Sequence, residues 1–309
     1  MCLLIETLFT GLFMNFQEFK KKFPSEPKII AYFVKVRYKD GLVCNHCGGS
    51  EEQIYQRLDL PKMFECKSCG NSFSFFAGTI LEKSSTDLKK WFYAIHLFLN
   101  GKKGISALQL QREIGTTYKT AWRMLRQIRL AMGNKKKKSD KKDDDHDDDF
   151  MQTIIEIDET YLGGKAENKH MSERVAAKGI FEKMIVLGML ERDKEVRAFV
   201  IDDAKRDTIM AKIHENVKKG SQIMTDEHKA YYWLYSQFQH QVVNHSKGDA
   251  DAHTNSIEGF WSTLKRGVYG IYHHVSKKHL QLYVNEFAFR YNNRKNKGMF
   301  DLVLAQAIF

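Results

Sequence analysis

Hydrophobic residues recur along the chain with several distinct spacings, and each spacing predicts a different element. "MNFQEFKKKFPSE" (Met14 to Glu26) places its apolar residues as an amphipathic helix does. "IYQRLDLPKMFEC" (Ile54 to Cys66) holds short β-type runs. "DLKKWFYAIHLFLN" (Asp87 to Asn100) returns to helical spacing behind a Ser/Thr cap region. "ISALQLQREIGTTYKTAWRMLRQIRLAM" (Ile105 to Met132) reads as helix, tight turn, helix. There Ile105, Leu108, Leu110 and Ile114 face inward, Gly115 breaks the first helix, and Thr116 or Thr117 caps the second. The second helix carries Lys119, Arg123, Arg126 and Arg129 around an apolar stripe of Ala121, Trp122, Leu125 and Ile128.

The pattern changes after residue 150. "MQTIIEIDETYLGGK" is β-branched and ends at Gly163-Gly164, the mark of a strand. "MIVLGMLE" and "VRAFVID" are two more strands joined by the charged turn "RDK", so the three form an antiparallel meander. "RDTIMAKIHENVKKG" is an amphipathic helix ended by Gly220. "QIMTDEHKAYYWL" is a short strand running into Asp226 and then a helix, and "HQVVNHS" is another short strand. "HTNSIEGFWSTLKR" opens a further helix capped by Thr254 or Asn255. The last long helix sets Leu280, Val284 and Phe287 on one stripe. The order β-β-β-α-β-α-β-α predicts an α/β fold, a mixed sheet flanked by helices.

Composition adds a boundary and a partner. "GNKKKKSDKKDDDHDDD" (Gly133 to Asp149) has no apolar residue to bury and reads as a solvated linker, and a flexible string of like charges is no preorganised metal site. Boundaries follow at 1–39 (N-terminal helical segment), 40–78, 79–132 (helical region), 133–149 (linker) and 150–309. A net charge of +11 favours a polyanionic partner, double-stranded DNA above all, and the basic helix after Gly115 is the element to enter its major groove. A plain helical hairpin with a solvated basic face is the alternative. The first thirteen residues carry Glu6 and lack a basic leader and a cleavage site, so a signal peptide is not expected, and Met14, which opens a normal amphipathic first helix, is the expected start of translation. No run is long and apolar enough to span a bilayer, which points to the cytoplasm.

Four of the five cysteines form two knuckles, "CNHC" (Cys44, Cys47) and "CKSC" (Cys66, Cys69). Two Cys-x-x-Cys pairs at this separation offer four thiolates to one structural zinc ion, with Gly48, Gly49 and Gly70 letting the backbone curl around the sulfurs. Residues 40–78 therefore read as a zinc ribbon, with His46 a bystander.

The acids are spread more widely. Asp158 lies in the first strand of the second half, Asp226 just after the fourth, and Glu258 in the helix that follows. First and fourth strands can be neighbours in such a sheet, and a helix packed across their ends can bring a third acid beside them. Three carboxylates without thiols or imidazoles are hard ligands that suit Mg²⁺ or Mn²⁺, and a pair of such ions clamps both oxygens of an in-line phosphoryl displacement. Glu258, Trp261 and Lys265 share one helix stripe, so Lys265, with Arg266 beside it, can meet DNA phosphate from the face that carries Glu258. An ordinary surface ion pair is the bland alternative. Glu159 points to the opposite face of its strand and is not expected to be a ligand.

"IDETYLGGK", "TDEHKAY" and "HTNSIEGFWSTLKRGVYGIYHHVSKKHLQLYVNEFAFRYNNR" resemble the DDE motifs of bacterial insertion-sequence transposases. The subgroup resembled has an N-terminal zinc ribbon and a ribonuclease-H-like catalytic domain. The resemblance implies Asp158, Asp226 and Glu258 as the catalytic triad, with Lys265 the basic residue seven positions on. It implies cleavage at the ends of the element, followed by transfer of the freed 3′ hydroxyl into target DNA. It also implies assembly as a homo-oligomer on DNA. Some members carry asparagine in the third position, and Asn255 lies one turn before Glu258 as ligand or helper; a carboxylate is the better donor to a hard cation. A DNA-binding regulator with an inactive domain, or a metal nuclease that cuts without joining, are the rival classes. Lys277, Lys278, Arg290 and Arg294 offer a possible DNA-facing rim.

Overall fold

The computed structural model describes residues 14–44, 46–133, 150–163, 183–243 and 254–307. The expected start at Met14 concerns residues outside that set, as do the charged linker beyond Gly133 and Gly164 at the end of the first long strand. The described residues form two units, one from the segments up to Gly133 together with those from Lys295 onward, the other from Phe150 to Arg294.

In the first unit, local chemistry starts each helix. Helix α1 (Phe16–Lys22) opens with a capping box, Asn15 accepting from the amides of Gln17 and Glu18 while Glu18 returns a bond to Asn15. Helix α2 (Glu26–Arg37) carries proline in its first turn. Strands β1 (Ile54–Gln56), β2 (Met63–Cys66) and β3 (Ser72–Ser74) make a small antiparallel sheet. Helix α3 (Leu88–Asn100) is capped by Asp87, not by the Ser/Thr that precedes it. Helices α4 (Ala107–Ile114) and α5 (Tyr118–Gly133) are separated by Gly115, whose φ of 58° is the left-handed turn the sequence predicts. The Thr117 hydroxyl accepts from the amide of Thr120, so Thr117 is the cap.

Two expectations for this helix pair are corrected. Leu108 is 53% exposed, because the inward stripe of α4 is Leu110 and Ile114. Arg129 is 2% exposed, and its guanidinium lies 5.3 Å from the ring centre of Phe98. Enclosed by α3, it is a core cation and no part of the basic face to which Lys119, Arg123 and Arg126 belong.

The C-terminal helix α9 (Met299–Gln306) packs on α2, α3 and α5 of this same unit. Phe300 stacks 5.5 Å from Phe23, the Tyr32 hydroxyl donates to Asp301, and the Ile80 amide donates to the Ala307 carbonyl. The sequence reading kept everything from 150 to 309 together; the structure puts the last helix with the N-terminal segments.

The second unit is built on a sheet in the order β6-β5-β4-β7-β8. Strands β4 (Ile154–Leu162), β5 (Met184–Glu191) and β6 (Val196–Ile201) run antiparallel, whereas β7 (Gln222–Thr225) lies parallel to β4 and β8 (Gln239–Val242) parallel to β7. First and fourth strands are thus neighbours, as the sequence anticipates. Side-chain alternation decides which core each residue joins. Ile155, Ile157 and Ile223 pack with Ile209 and Ile213 of helix α6 (Arg206–Asn216) and with Tyr231 and Leu234. The last two belong to Lys229–Ser236, a 3₁₀ segment where the sequence predicts an ordinary helix.

On the other face Val186, Leu190 and Val196 meet Ile257, Phe260, Trp261 and Leu264 of helix α7 (Asn255–Gly267). Leu280, Val284 and Phe287 of helix α8 (Lys277–Asn292) complete that layer. Arg290 is no surface rim residue, since it bonds the buried carboxylate of Glu286.

At Gly267 the backbone of α7 lies against the Phe287 ring of α8: a Cβ there would lie 1.9 Å from Cζ of Phe287. Gly267→Ala is expected to destabilise the chain by about 1–3 kcal/mol in urea unfolding, with part of the loss recovered by adding Phe287→Leu.

Candidate active site

Parallel pairing brings two of the three acids together. The β4–β7 register runs Ile154 to Gln222, Ile155 to Ile223 and Glu156 to Met224, and two further steps set Asp158 level with Asp226. Asp226 directly follows the last residue of β7, and Asp158 lies in mid-strand on β4 beside it. Asp226 also organises its own turn, accepting from the His228 amide at 3.0 Å.

Helix α7 supplies the third acid, and strand β4 fixes where that helix starts. Glu156 is fully buried on the face that α7 covers. Its Oε1 accepts from Arg192 at 2.8 Å and its Oε2 from the backbone N–H of Ile257 at 3.0 Å. A carboxylate on an open amide of the first turn is an N-cap delivered from another element. Thr254, the residue before the helix, makes no side-chain cap bond to the backbone, and Asn255 is the first helical residue. One turn beyond Glu258, the Trp261 indole N–H donates to Asp158 Oδ2 at 2.9 Å. Its ring covers Gly188, the β5 partner of Asp158, so closely that a Cβ there would lie 2.6 Å from the ring. Glu258 is thus bracketed by two attachments of α7 to β4.

Crowding shows in the acidities. Burial raises the Asp158 carboxyl to about 6, helped by the charges of Asp226 and Glu258 and opposed by the Trp261 N–H. Glu159 points to the other face of β4, as strand parity requires. Burial, together with Asp158 and Asp226, pushes it up to about 7. Its Oε1 and the neighbouring Tyr231 hydroxyl are both shut away without completing a regular hydrogen bond. Lys265 is half-buried and Arg266 exposed on the last turn of α7.

The cysteine cluster is equally well defined. Its four Sγ atoms lie within 4.8 Å of one another, with Cys44 to Cys69 at 3.8 Å and Cys47 to Cys66 at 3.7 Å. A tetrahedron of 2.3 Å zinc–sulfur bonds has edges of about 3.8 Å, so the donors fit zinc in kind and in spacing. Gly48 and Gly70 take positive φ at 72° and 66°, and their amides donate to the carbonyls of Cys44 and Cys66.

The profile of the ISXO2-like transposase domain matches residues 150–292, and that of the transposase zinc-ribbon domain matches residues 24–72. An uncharacterized transposase-like protein of Haemophilus influenzae is 31% identical over 112 residues, which is 35% of this chain and 90% of the relative. The chain belongs to the ISXO2-like transposase family. An uncharacterized protein in transposable element ISH50 of Halobacterium salinarum is 25% identical over 288 residues, covering 87% of this chain and 92% of that one. One chain of a simian T-cell lymphotropic virus intasome, solved in complex with PP2A regulatory subunit B56 gamma, aligns at a TM-score of 0.30 and 14% identity. That alignment spans 59% of this chain and 63% of the other, and the likeness carries no structural argument.

Glu156, Gly188 and the docking of Trp261 are absent from the sequence reading. Parity could have found Glu156, two residues before Asp158 and on the same face. A glycine within "MIVLGMLE" is the usual mark of close approach by another element.

Two outcomes follow. The Asp158 pKa stands above the ordinary 3.8, so the metal-free fold loses stability as pH rises from about 4 to about 6. Trp261→Phe keeps the ring over Gly188 but removes the N–H that favours the ionised form. Carboxyl NMR titration should then find Asp158 above its present value of about 6, with the loss of stability extending to higher pH. Separately, zinc chelation or Cys66→Ala should unfold the ribbon, read as lost hydrogen-exchange protection at Phe64 and Phe73.

Proposed function

We propose that the chain is an active DNA transposase that cuts the ends of an insertion element and joins the freed 3′ hydroxyl to target DNA. The observation that supports this reading is the β4–β7 register, which carried two residues further sets Asp158 level with Asp226, with Glu258 on the helix that Glu156 and Trp261 tie to β4. The first strand is central, the second and third lie antiparallel on one side, and the fourth lies parallel on the other. That arrangement supports the ribonuclease-H-like reading.

Asp158, Asp226 and Glu258 are the residues to hold Mg²⁺ or Mn²⁺, which when bound supplies Lewis-acid activation of water and of phosphodiester oxygens. Asn255, exposed one turn earlier, is the alternative donor; the carboxylate is favoured for a hard cation. Trp261 orients Asp158, and Glu156 fixes the depth of the helix that brings Glu258. Lys265 and Arg266 hold the phosphate backbone. Strand transfer breaks one P–O bond of the target and forms one to the attacking 3′ oxygen, with no protein–DNA covalent bond. Lys119, Arg123 and Arg126 on α5 read element DNA as the second helix of a helix-turn-helix, and zinc staples the ribbon beside them in sequence. Double-stranded DNA and further copies of the chain are the partners, and the nucleoid within the cytoplasm is the place of action. Among the described residues no helix is long and apolar enough to cross a membrane.

The test is a strand-transfer assay with element-end DNA and Mn²⁺. Joined products are expected from the natural chain. Asp158→Ala, Asp226→Ala and Glu258→Ala should each lower joining by at least about a thousandfold while DNA binding is kept, a loss on the scale of one critical electrostatic group. Cleavage without joining would instead mark a nuclease, and binding alone a regulator.

A further inference from the structure

Every exposed large hydrophobic residue described in the second unit is aromatic, and three of the five lie on one short segment. Tyr232 is 55% exposed, Trp233 55% and Tyr235 59%, all within the 3₁₀ turns Lys229–Ser236. In a 3₁₀ helix residues three apart eclipse one another, so Lys229, Tyr232 and Tyr235 form one stripe two turns long. The third position of each turn, Tyr231 and Leu234, is buried in the core beneath.

The stripe is tied to the acid cluster at both ends. It begins three residues after Asp226, whose carboxylate accepts from His228. Tyr231 places its hydroxyl beside Glu159 on the strand that carries Asp158. The Tyr235 ring lies 4.5 Å from that of His240, and His240 Nε2 bonds the Thr225 hydroxyl at 2.9 Å, next to Asp226. Two cations flank the segment. Lys229 opens the stripe, and the Arg206 guanidinium lies 4.1 Å from the centre of the Trp233 ring.

We infer that this segment is a stacking platform for unpaired bases at the DNA end whose phosphodiester lies at the acids, with Tyr232 and Tyr235 facing the bases and Lys229 the backbone. The inference rests on reading the acid cluster as a DNA-processing centre. Flat rings flanked by fixed positive charge suit single-stranded nucleic acid, because every base has a π-face and every linkage a negative charge. Tyrosine and tryptophan also serve contacts between proteins, so a second copy of the chain is the alternative that the test separates.

The test uses the full chain with 2-aminopurine in DNA that carries either a short single-stranded tail or a blunt end. The natural chain should quench the tail fluorophore and bind tailed DNA more tightly than blunt. Tyr232→Ala and Tyr235→Ala should each lower affinity for the tail by roughly tenfold, leaving blunt duplex affinity unchanged; Tyr232→Trp should keep the preference. An unaltered tail preference in the Tyr232→Ala, Tyr235→Ala double variant would overturn the proposal. So would a change in its sedimentation with tail affinity intact, which would make the stripe a contact between copies. Mn²⁺-dependent joining by the natural chain is measured alongside. Joining with an unaltered tail preference removes the platform alone, whereas absence of joining removes the transposase reading and leaves the stacking result to stand by itself.

Discussion

The second unit depends on one buried attachment, the carboxylate of Glu156 set against the open first turn of α7. Burying an isolated carboxylate is strongly unfavourable, and here three groups offset it: the Arg192 guanidinium, the Ile257 amide and the positive end of a helix. The consequence is positional. A helix pinned by a first-turn amide is held against sliding along the sheet, so the residue after Ile257 is set by the strand as much as by the helix. That residue is Glu258.

Trp261 completes the constraint at the next turn. A large ring can lie flat on a strand only where the strand has no side chain, and Gly188 provides that gap opposite Asp158. The same ring turns its single donor toward the carboxylate. Packing and electrostatics therefore act through one residue: the apolar face fills the layer between sheet and α7, and the N–H moderates an acid that burial and its neighbours make weak. Carboxylates brought near one another without counter-charge repel, and protonation is what relieves that repulsion at Asp158.

Much of this was legible in the residues. The paired Cys-x-x-Cys spacing located the ribbon because tetrahedral coordination tolerates few arrangements. The β-branched runs and the charged turn "RDK" gave the meander, and strand parity put Glu159 opposite Asp158. The parts that escaped are those settled by contacts distant in sequence. Arg129 sits on a helix face that looks basic in projection, and only the position of Phe98 makes it interior. Leu108 fits the apolar stripe by spacing alone, yet the burial of α4 is centred on Leu110 and Ile114. Arg290 looks like a surface charge until the buried Glu286 one turn earlier is taken into account. No local rule announces that Glu156 will cap a helix about a hundred residues later.

The placement of α9 bears on how the protein comes into being. Helices α2, α3 and α5 need Met299–Gln306 to close over them, and those residues leave the ribosome after the whole of the sheet unit. All strands and helices of the sheet unit emerge before the first unit receives its final piece. A chain stopped short of that helix would carry every acidic residue of the site and still lack a finished N-terminal core. Synthesis itself would thus withhold a complete N-terminal unit until the sheet unit has been made.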